Sequence, residues 1–143
     1  MTNDAISAEA TPAVTGTPRF LLRLEGAALL VIAVVLYART GTSWWLFALL
    51  VLAPDLSFVG YLAGPRIGAA AYNAAHVTIG PIALALVGLL APSPLMIALA
   101  LIWFVHVGAD RMLGYGLKYD AGFGFTHLGR IGRPGQPAVT PAA

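Results

Sequence analysis

The sequence predicts an all-α integral membrane protein, a four-helix up-down bundle with a disordered N-terminal tail and a Gly/aromatic-rich interfacial loop at its C-terminal end. Three observations predict it. First, 59% of the 143 residues are hydrophobic and only 10% are charged, against about 25% charged in soluble domains. Mean hydropathy is +0.82, and fourteen charged side chains, eight basic and six acidic, cannot coat a globule of this length. Second, four apolar stretches each approach the roughly 20 residues that cross about 30 Å of hydrocarbon. Third, the connections between them are short and marked by Gly and Pro, which forces neighbouring spans to run antiparallel.

Residues 1–18 are polar and rich in Ala, Thr and Pro, with Asp4 and Glu9. They cannot bury a core and read as a disordered tail. No basic n-region of a signal peptide precedes the first apolar run, and Glu25 interrupts its start, so the run reads as a retained membrane helix. The spans are residues 19–38, 43–63, 69–90 and 95–113, joined by residues 39–42, 64–68 and 91–94. Residues 114–129 alternate glycine with aromatics. That stretch is too glycine-rich for a stable helix and fits an interfacial or re-entrant loop. Residues 130–143 read as a disordered tail. Cysteine is absent, so neither a disulfide framework nor a thiolate metal site is available.

Four spans place both ends of the chain on one side. That side carries Arg19, Arg23, Arg66, Arg111, Lys118, Arg130 and Arg133, and the other only Arg39. The positive-inside rule puts both termini of this multi-pass membrane protein in the cytoplasm. The expected partner is the lipid bilayer. No basic run suits nucleic acid.

The few ionisable residues within the spans fall in one layer. Glu25 lies about two turns into the first span and Asp55 about two turns from the cytoplasmic end of the second. His76 lies about two turns into the third, with Asn73 one turn nearer the surface, and His106 and Asp110 lie near the end of the fourth. His106 and Asp110 are spaced i, i+4 and share a helix face, as do Asn73 and His76 at i, i+3. An ionisable group at this depth is costly unless paired, hydrated or ligated. Two imidazoles with carboxylates make an N/O ligand set for zinc or a similar divalent ion. His76, His106 and Asp110 are the candidate ligands. Asp55, Asn73 and His127 are further candidates, and Glu25 or Asp55 is the candidate general base. Pro54, just before Asp55, removes a helical hydrogen bond and frees the carbonyl of Leu50; Pro81 does the same for Val77, beside His76. The alternative is a purely structural network of interhelical hydrogen bonds.

The chain resembles a bacterial family of small membrane proteins catalogued as domain of unknown function 4260. The resemblance rests on residues 22–26 (Leu-Arg-Leu-Glu-Gly), 44–50 (Trp-Trp-Leu-Phe-Ala-Leu-Leu), 53–57 (Ala-Pro-Asp-Leu-Ser), 60–66 (Gly-Tyr-Leu-Ala-Gly-Pro-Arg), 72–76 (Tyr-Asn-Ala-Ala-His) and 106–111 (His-Val-Gly-Ala-Asp-Arg). It continues through the Gly-Tyr-Gly-Leu-Lys-Tyr run into Gly-Phe-Gly-Phe-Thr-His-Leu-Gly and covers residues 19–129. That family implies a bacterial inner (plasma) membrane location and no activity. A looser similarity links Pro54-Asp55, His76 and the His106-x-x-x-Asp110 pair to bacterial membrane-bound metal-dependent hydrolases, with Asn73 standing where those proteins carry a second histidine. It implies a metal-dependent hydrolase acting on a lipid-like or membrane-associated small-molecule substrate. The alternatives are a proton or ion transporter using the same layer, and a non-catalytic membrane scaffold subunit.

Overall fold

The computed structural model describes residues 13–132. Most of the two expected tails, residues 1–12 and 133–143, therefore lies outside the described residues. Within them, helix α1 (Gly16–Arg39) already includes the last residues assigned to the N-terminal tail. Helix α2 (Trp44–Leu50) follows, then a 3₁₀ segment (Ala53–Ala63), α3 (Pro65–His76), α4 (Ile79–Leu90) and α5 (Pro94–Leu113). The chain ends in a small hairpin of β1 (Phe125–Thr126) and antiparallel β2 (Gly129–Arg130).

Four spans result: Gly16–Arg39, Trp44–Ala63, Pro65–Leu90 and Pro94–Leu113, each long and apolar enough to cross a membrane. Large side chains such as Val31, Ile32, Leu49, Leu62, Leu89 and Leu90 are exposed. An apolar exterior of this extent suits lipid and not water.

Spans two and three are not continuous α-helices, and proline accounts for both breaks. In the second, the Asp55 N–H bonds the Leu52 carbonyl at 3.1 Å, an i→i+3 step. From there the backbone stays 3₁₀ for 11 residues, well beyond the usual three or four. The tighter winding rises about 2.0 Å per residue, so the span remains long enough. In the third, Val77 is extended (φ −83°, ψ 145°) and ends α3 at His76. Pro81 has no N–H to bond the Val77 carbonyl, so a continuous helix would leave that carbonyl orphaned. The turn between these spans needs Gly64, whose φ of +106° is open to glycine. Gly60 and Gly68 meet across this turn rather than along one helix: a Cβ on Gly60 would strike Ala71, and one on Gly68 the Tyr61 ring.

Helix α5 is the centre of the bundle, packing on α1 and α4. The α1–α5 contact brings backbones together at two glycines. A Cβ on Gly26 would lie 2.5 Å from the Arg111 Cβ, and one on Gly108 2.7 Å from the Leu30 nitrogen. At the end marked by Arg39, Tyr37, Ala98 and Ile102 form a buried apolar core with Leu46, Phe47, Leu50, Val51 and Leu101 around it.

At the other end, α5 stops in a Schellman turn. Gly114 is left-handed (φ 96°, ψ 13°), its N–H bonds Arg111 O, and the Tyr115 N–H bonds Asp110 O at 2.7 Å. The chain then folds back over the bundle as a cap. His127 N–H bonds Leu117 O, Val14 N–H bonds His127 O, and Leu128 is fully buried. The expected interfacial loop is thus an ordered cap, and β2 extends it past residue 129 into what the sequence suggested was tail. Its glycines are needed for packing: a Cβ on Gly116 would lie 2.6 Å from the His127 ring.

The glycine contacts carry a direct test. Gly108→Ala places a methyl against the Leu30 main chain, which cannot move aside as a side chain would. The expected cost is about 1–3 kcal/mol, read as a lower melting temperature of the detergent-solubilised protein. Gly41→Ala, at a left-handed turn (φ +70°) where a Cβ meets nothing, shows for comparison the cost of backbone strain without a packing clash.

Candidate metal centre

The 3₁₀ segment, α3 and α5 bring Asp55, His76, His106 and Asp110 together. One ligand atom from each lies within 4.8 Å of all the others, so the group could hold a metal ion. His76 Nε2 is 3.0 Å from His106 Nε2. Asp55 Oδ1 is 3.4 Å from each Nε2, and Asp110 Oδ2 is 3.5 Å from His76 and 3.7 Å from His106. Ligands about 2.0–2.1 Å from a tetrahedral ion stand about 3.3 Å apart, and the five spacings that involve an imidazole bracket that edge.

Both imidazoles are oriented from behind by backbone carbonyls. His76 Nδ1 lies 2.8 Å from Tyr72 O, and His106 Nδ1 lies 2.7 Å from Val51 O. A carbonyl only accepts, so each Nδ1 carries the hydrogen. In the neutral rings both Nε2 atoms are then bare lone pairs, and they face each other. Two lone pairs cannot bond one another. With two ionised carboxylates added, four acceptors converge and only Asp110 Oδ2 is met by a donor, the Tyr72 hydroxyl, which favours a cation among them.

The local fold explains why Val51 O is available. In an α-helix it would accept from Asp55 N–H, but that group turns to Leu52. In a 3₁₀ helix it would accept from residue 54, which is Pro54 and has no N–H. The carbonyl that proline releases to the site is therefore that of Val51, where α-helical spacing pointed to Leu50. The end of α3 is satisfied in the same manner: Trp103 Nε1 donates to Ala75 O at 2.6 Å and Arg111 to His76 O at 3.4 Å.

The surroundings complete the group. The Tyr72 hydroxyl donates to Asp110 Oδ2 at 3.1 Å, and its ring stacks on His76 with centroids 3.7 Å apart. The His side chains are 3% and 5% exposed, Asp110 17% and Asp55 35%. Asp55 is thus the member that faces outward. It opens onto a cavity of about 290 Å³ whose lining includes Phe58, Tyr72, Asp110, Lys118 and Phe123.

Three other sequence candidates fall elsewhere. Glu25 is exposed on α1 and takes no part in the group. Asn73 spends both ends of its amide on the cap: Nδ2 donates to Lys118 O at 2.8 Å and Oδ1 accepts from Lys118 N–H at 2.6 Å. His127 does fold back, but onto Arg111 and the cap. Its Nδ1 accepts from Leu117 N–H, and its Nε2 is 3.1 Å from the Arg111 guanidinium. Burial and the Arg111 charge hold its pKa below the usual histidine range. Tyr72 and Lys118 were not singled out from the sequence. Tyr72 had a signal, standing one turn before His76 on the same face; Lys118 had only its position as the chain's single lysine.

Burial lowers the Lys118 pKa from 10.5 to about 8. In protein labelled with ¹⁵N-lysine, one Nζ resonance should titrate near pH 8. Between these two values the folded state binds fewer protons than the unfolded state. Stability should therefore rise with pH across that window, and Lys118→Met should remove the rise.

Comparison with known proteins returns no similar curated protein and no similar solved structure. Residues 19–131 match one family model, described as Domain of unknown function (DUF4260). That match takes in all four site residues, most of α1 and nearly the whole cap, and the chain belongs to the DUF4260 family.

Proposed function

We propose that Asp55, His76, His106 and Asp110 hold one divalent ion of the zinc type and that the protein is a metal-dependent hydrolase of the membrane interface. One observation carries this reading: both Nδ1–H groups are committed to carbonyls, so two Nε2 lone pairs and two carboxylates converge with no donor among them. Metal-bound histidines characteristically give their second ring N–H to such an acceptor. The charge also balances, since two carboxylates and two neutral rings sum to −2. Imidazole and carboxylate together favour zinc or a similar ion over calcium or magnesium, which take oxygen alone.

A divalent ion at this point supplies Lewis-acid polarisation and a water reactive near neutral pH. The residues divide the remaining work. His76, His106 and Asp110 are the more buried members and act as ligands, with the Tyr72 hydroxyl fixing the Asp110 carboxylate. Asp55 is the most exposed member and faces the cavity, which suits a carboxylate that takes a proton from the attacking water; otherwise it is the fourth ligand. Glu25, exposed on α1, is not part of this scheme. The site sits near the end of the bundle with most of the basic residues, which the positive-inside rule assigns to the cytoplasmic face of a plasma membrane. A lipid-like or membrane-associated substrate reaches it there from the bilayer surface. Transport across the bilayer is the weaker reading, because the Tyr37–Ala98–Ile102 core fills the opposite half of the bundle with apolar side chains.

Protein purified in detergent and equilibrated with zinc should hold one ion per chain, measured by inductively coupled plasma mass spectrometry. His106→Ala and Asp110→Ala should abolish stoichiometric binding. Tyr72→Phe should keep the fold and weaken affinity by about 10–100-fold. Metal-free protein after zinc equilibration, together with an unchanged melting temperature for His106→Ala, would discard the proposal.

A further inference from the structure

Lys118 is the only lysine in the chain, and it is 5% exposed. Its ammonium donates to Phe123 O at 2.8 Å and lies 3.7 Å from the Phe123 ring centroid, 4.8 Å from Tyr72 and 5.9 Å from Phe58. Rings and one carbonyl account for part of its hydrogen-bonding capacity and supply no counter-charge. Among the described residues no carboxylate lies within ion-pair distance of it. Buried ammonium groups are ordinarily paired, because removing the charge from water costs several kcal/mol.

The position of this amine is fixed by the same helix that carries His76. Asn73, three residues before His76, binds both backbone groups of Lys118. Asp55, Tyr72 and Asp110 line the cavity of about 290 Å³ together with Lys118. One wall of that cavity thus presents the His/Asp group and another an ammonium with no carboxylate in direct contact.

We propose that the cavity binds a phosphate-type anion, with one oxygen paired to Lys118 and another directed at the metal centre. This rests on the metal reading above, since Asp55 and Asp110 would otherwise repel an anion. With a divalent ion balancing the two carboxylates, the Lys118 charge is left for the ligand. A phosphate group has enough oxygens to meet both walls at once, and lysine serves it as a point charge. The volume is at the small end of ligand pockets, suited to a phosphate with a compact headgroup and not to a nucleotide. The rings of Phe58 and Phe123 provide an apolar side for the carbon of an ester. The shared chemistry is that of a lipid headgroup phosphate and of a free phosphate.

The test uses the full chain in detergent, loaded with zinc, with inorganic phosphate titrated by calorimetry. Wild type should bind. Lys118→Met should weaken binding by about tenfold or more, the usual scale for a hydrogen bond to a charged group, while its zinc content stays unchanged. Lys118→Arg should bind more tightly than Lys118→Met. In a second arm, nanodiscs of phosphatidylcholine with and without phosphatidate receive the protein. Loss of phosphate binding only where phosphatidate is present assigns the site to a lipid headgroup; equal binding in both assigns it to a free phosphate. Equal affinity of wild type and Lys118→Met overturns the proposal, as does absence of phosphate binding by the zinc-loaded wild type. Should Lys118→Met fail to fold, the single ¹⁵N-lysine Nζ resonance of the wild type decides: a shift on adding phosphate supports the pairing, and no shift overturns it. Zinc content is measured separately. Phosphate binding through Lys118 in a protein that takes up no zinc would overturn the metal reading and leave the Lys118 site standing.

Discussion

A backbone carbonyl deprived of its helical partner inside hydrocarbon must find another donor, because no water is present to supply one. Proline creates that deficit directly at Pro54, and the break that Pro81 accompanies frees further carbonyls at the end of α3; the donors that answer both come from α5. His106 reaches Val51 O, Trp103 reaches Ala75 O, and Arg111 reaches His76 O. The three contacts tie the broken second and third spans to the one helix at the centre of the bundle. They also do chemical work. By taking the Nδ1 hydrogen of His106, Val51 O turns the Nε2 lone pair toward His76. The same hydrogen bonds that close the backbone account also prepare the site.

This coupling explains how the site stays ordered on irregular backbone. Asp55 sits on a 3₁₀ segment and His76 on the last turn of α3, neither of them a rigid platform alone. Each is braced by α5, and α5 is held against α1 at Gly26 and Gly108, where no side chain separates the backbones. The cap adds a further brace through Asn73, which grips the Lys118 main chain as a neighbouring strand would. Site, bundle and cap therefore depend on one another.

Much of this was legible from residues alone. Apolar runs of spanning length can be little else, so the four spans were readable, and so was the layer in which Asp55, His76, His106 and Asp110 meet. Depth along a helix follows from counting residues. Direction around the helix is harder, and Glu25 shows why. The buried face of α1 is Gly26, Ala33 and Tyr37, at spacings of seven and four. Glu25 stands one residue, or about 100°, off that face. It shares the depth of the layer and points away from it. The helical breaks were legible as prolines but not as a switch to 3₁₀ winding, which moves the freed carbonyl by one residue, from Leu50 to Val51. The cap was least legible. A Gly/aromatic run has no periodicity to read, and its order comes from long-range partners such as Asn73 and Arg111.

The polar network can be weighed as structure alone, and the tautomers decide how far that goes. An interhelical hydrogen bond between His76 and His106 needs a hydrogen on one Nε2. Each ring already carries its hydrogen on Nδ1, held by a carbonyl, so a second makes that ring cationic. The cation would then lie between two carboxylates, and the other Nε2 and one carboxylate would still compete for a single proton. A divalent ion meets all four groups at once, and the spacings between each imidazole and its neighbours, 3.0–3.7 Å, already suit it. Access points the same way. The Tyr37 core closes the group from the Arg39 end, while Asp55 and the cavity open it toward the cap. The Lys118 ammonium lines that same cavity, so a ligand held there faces a cation and the carboxylates together.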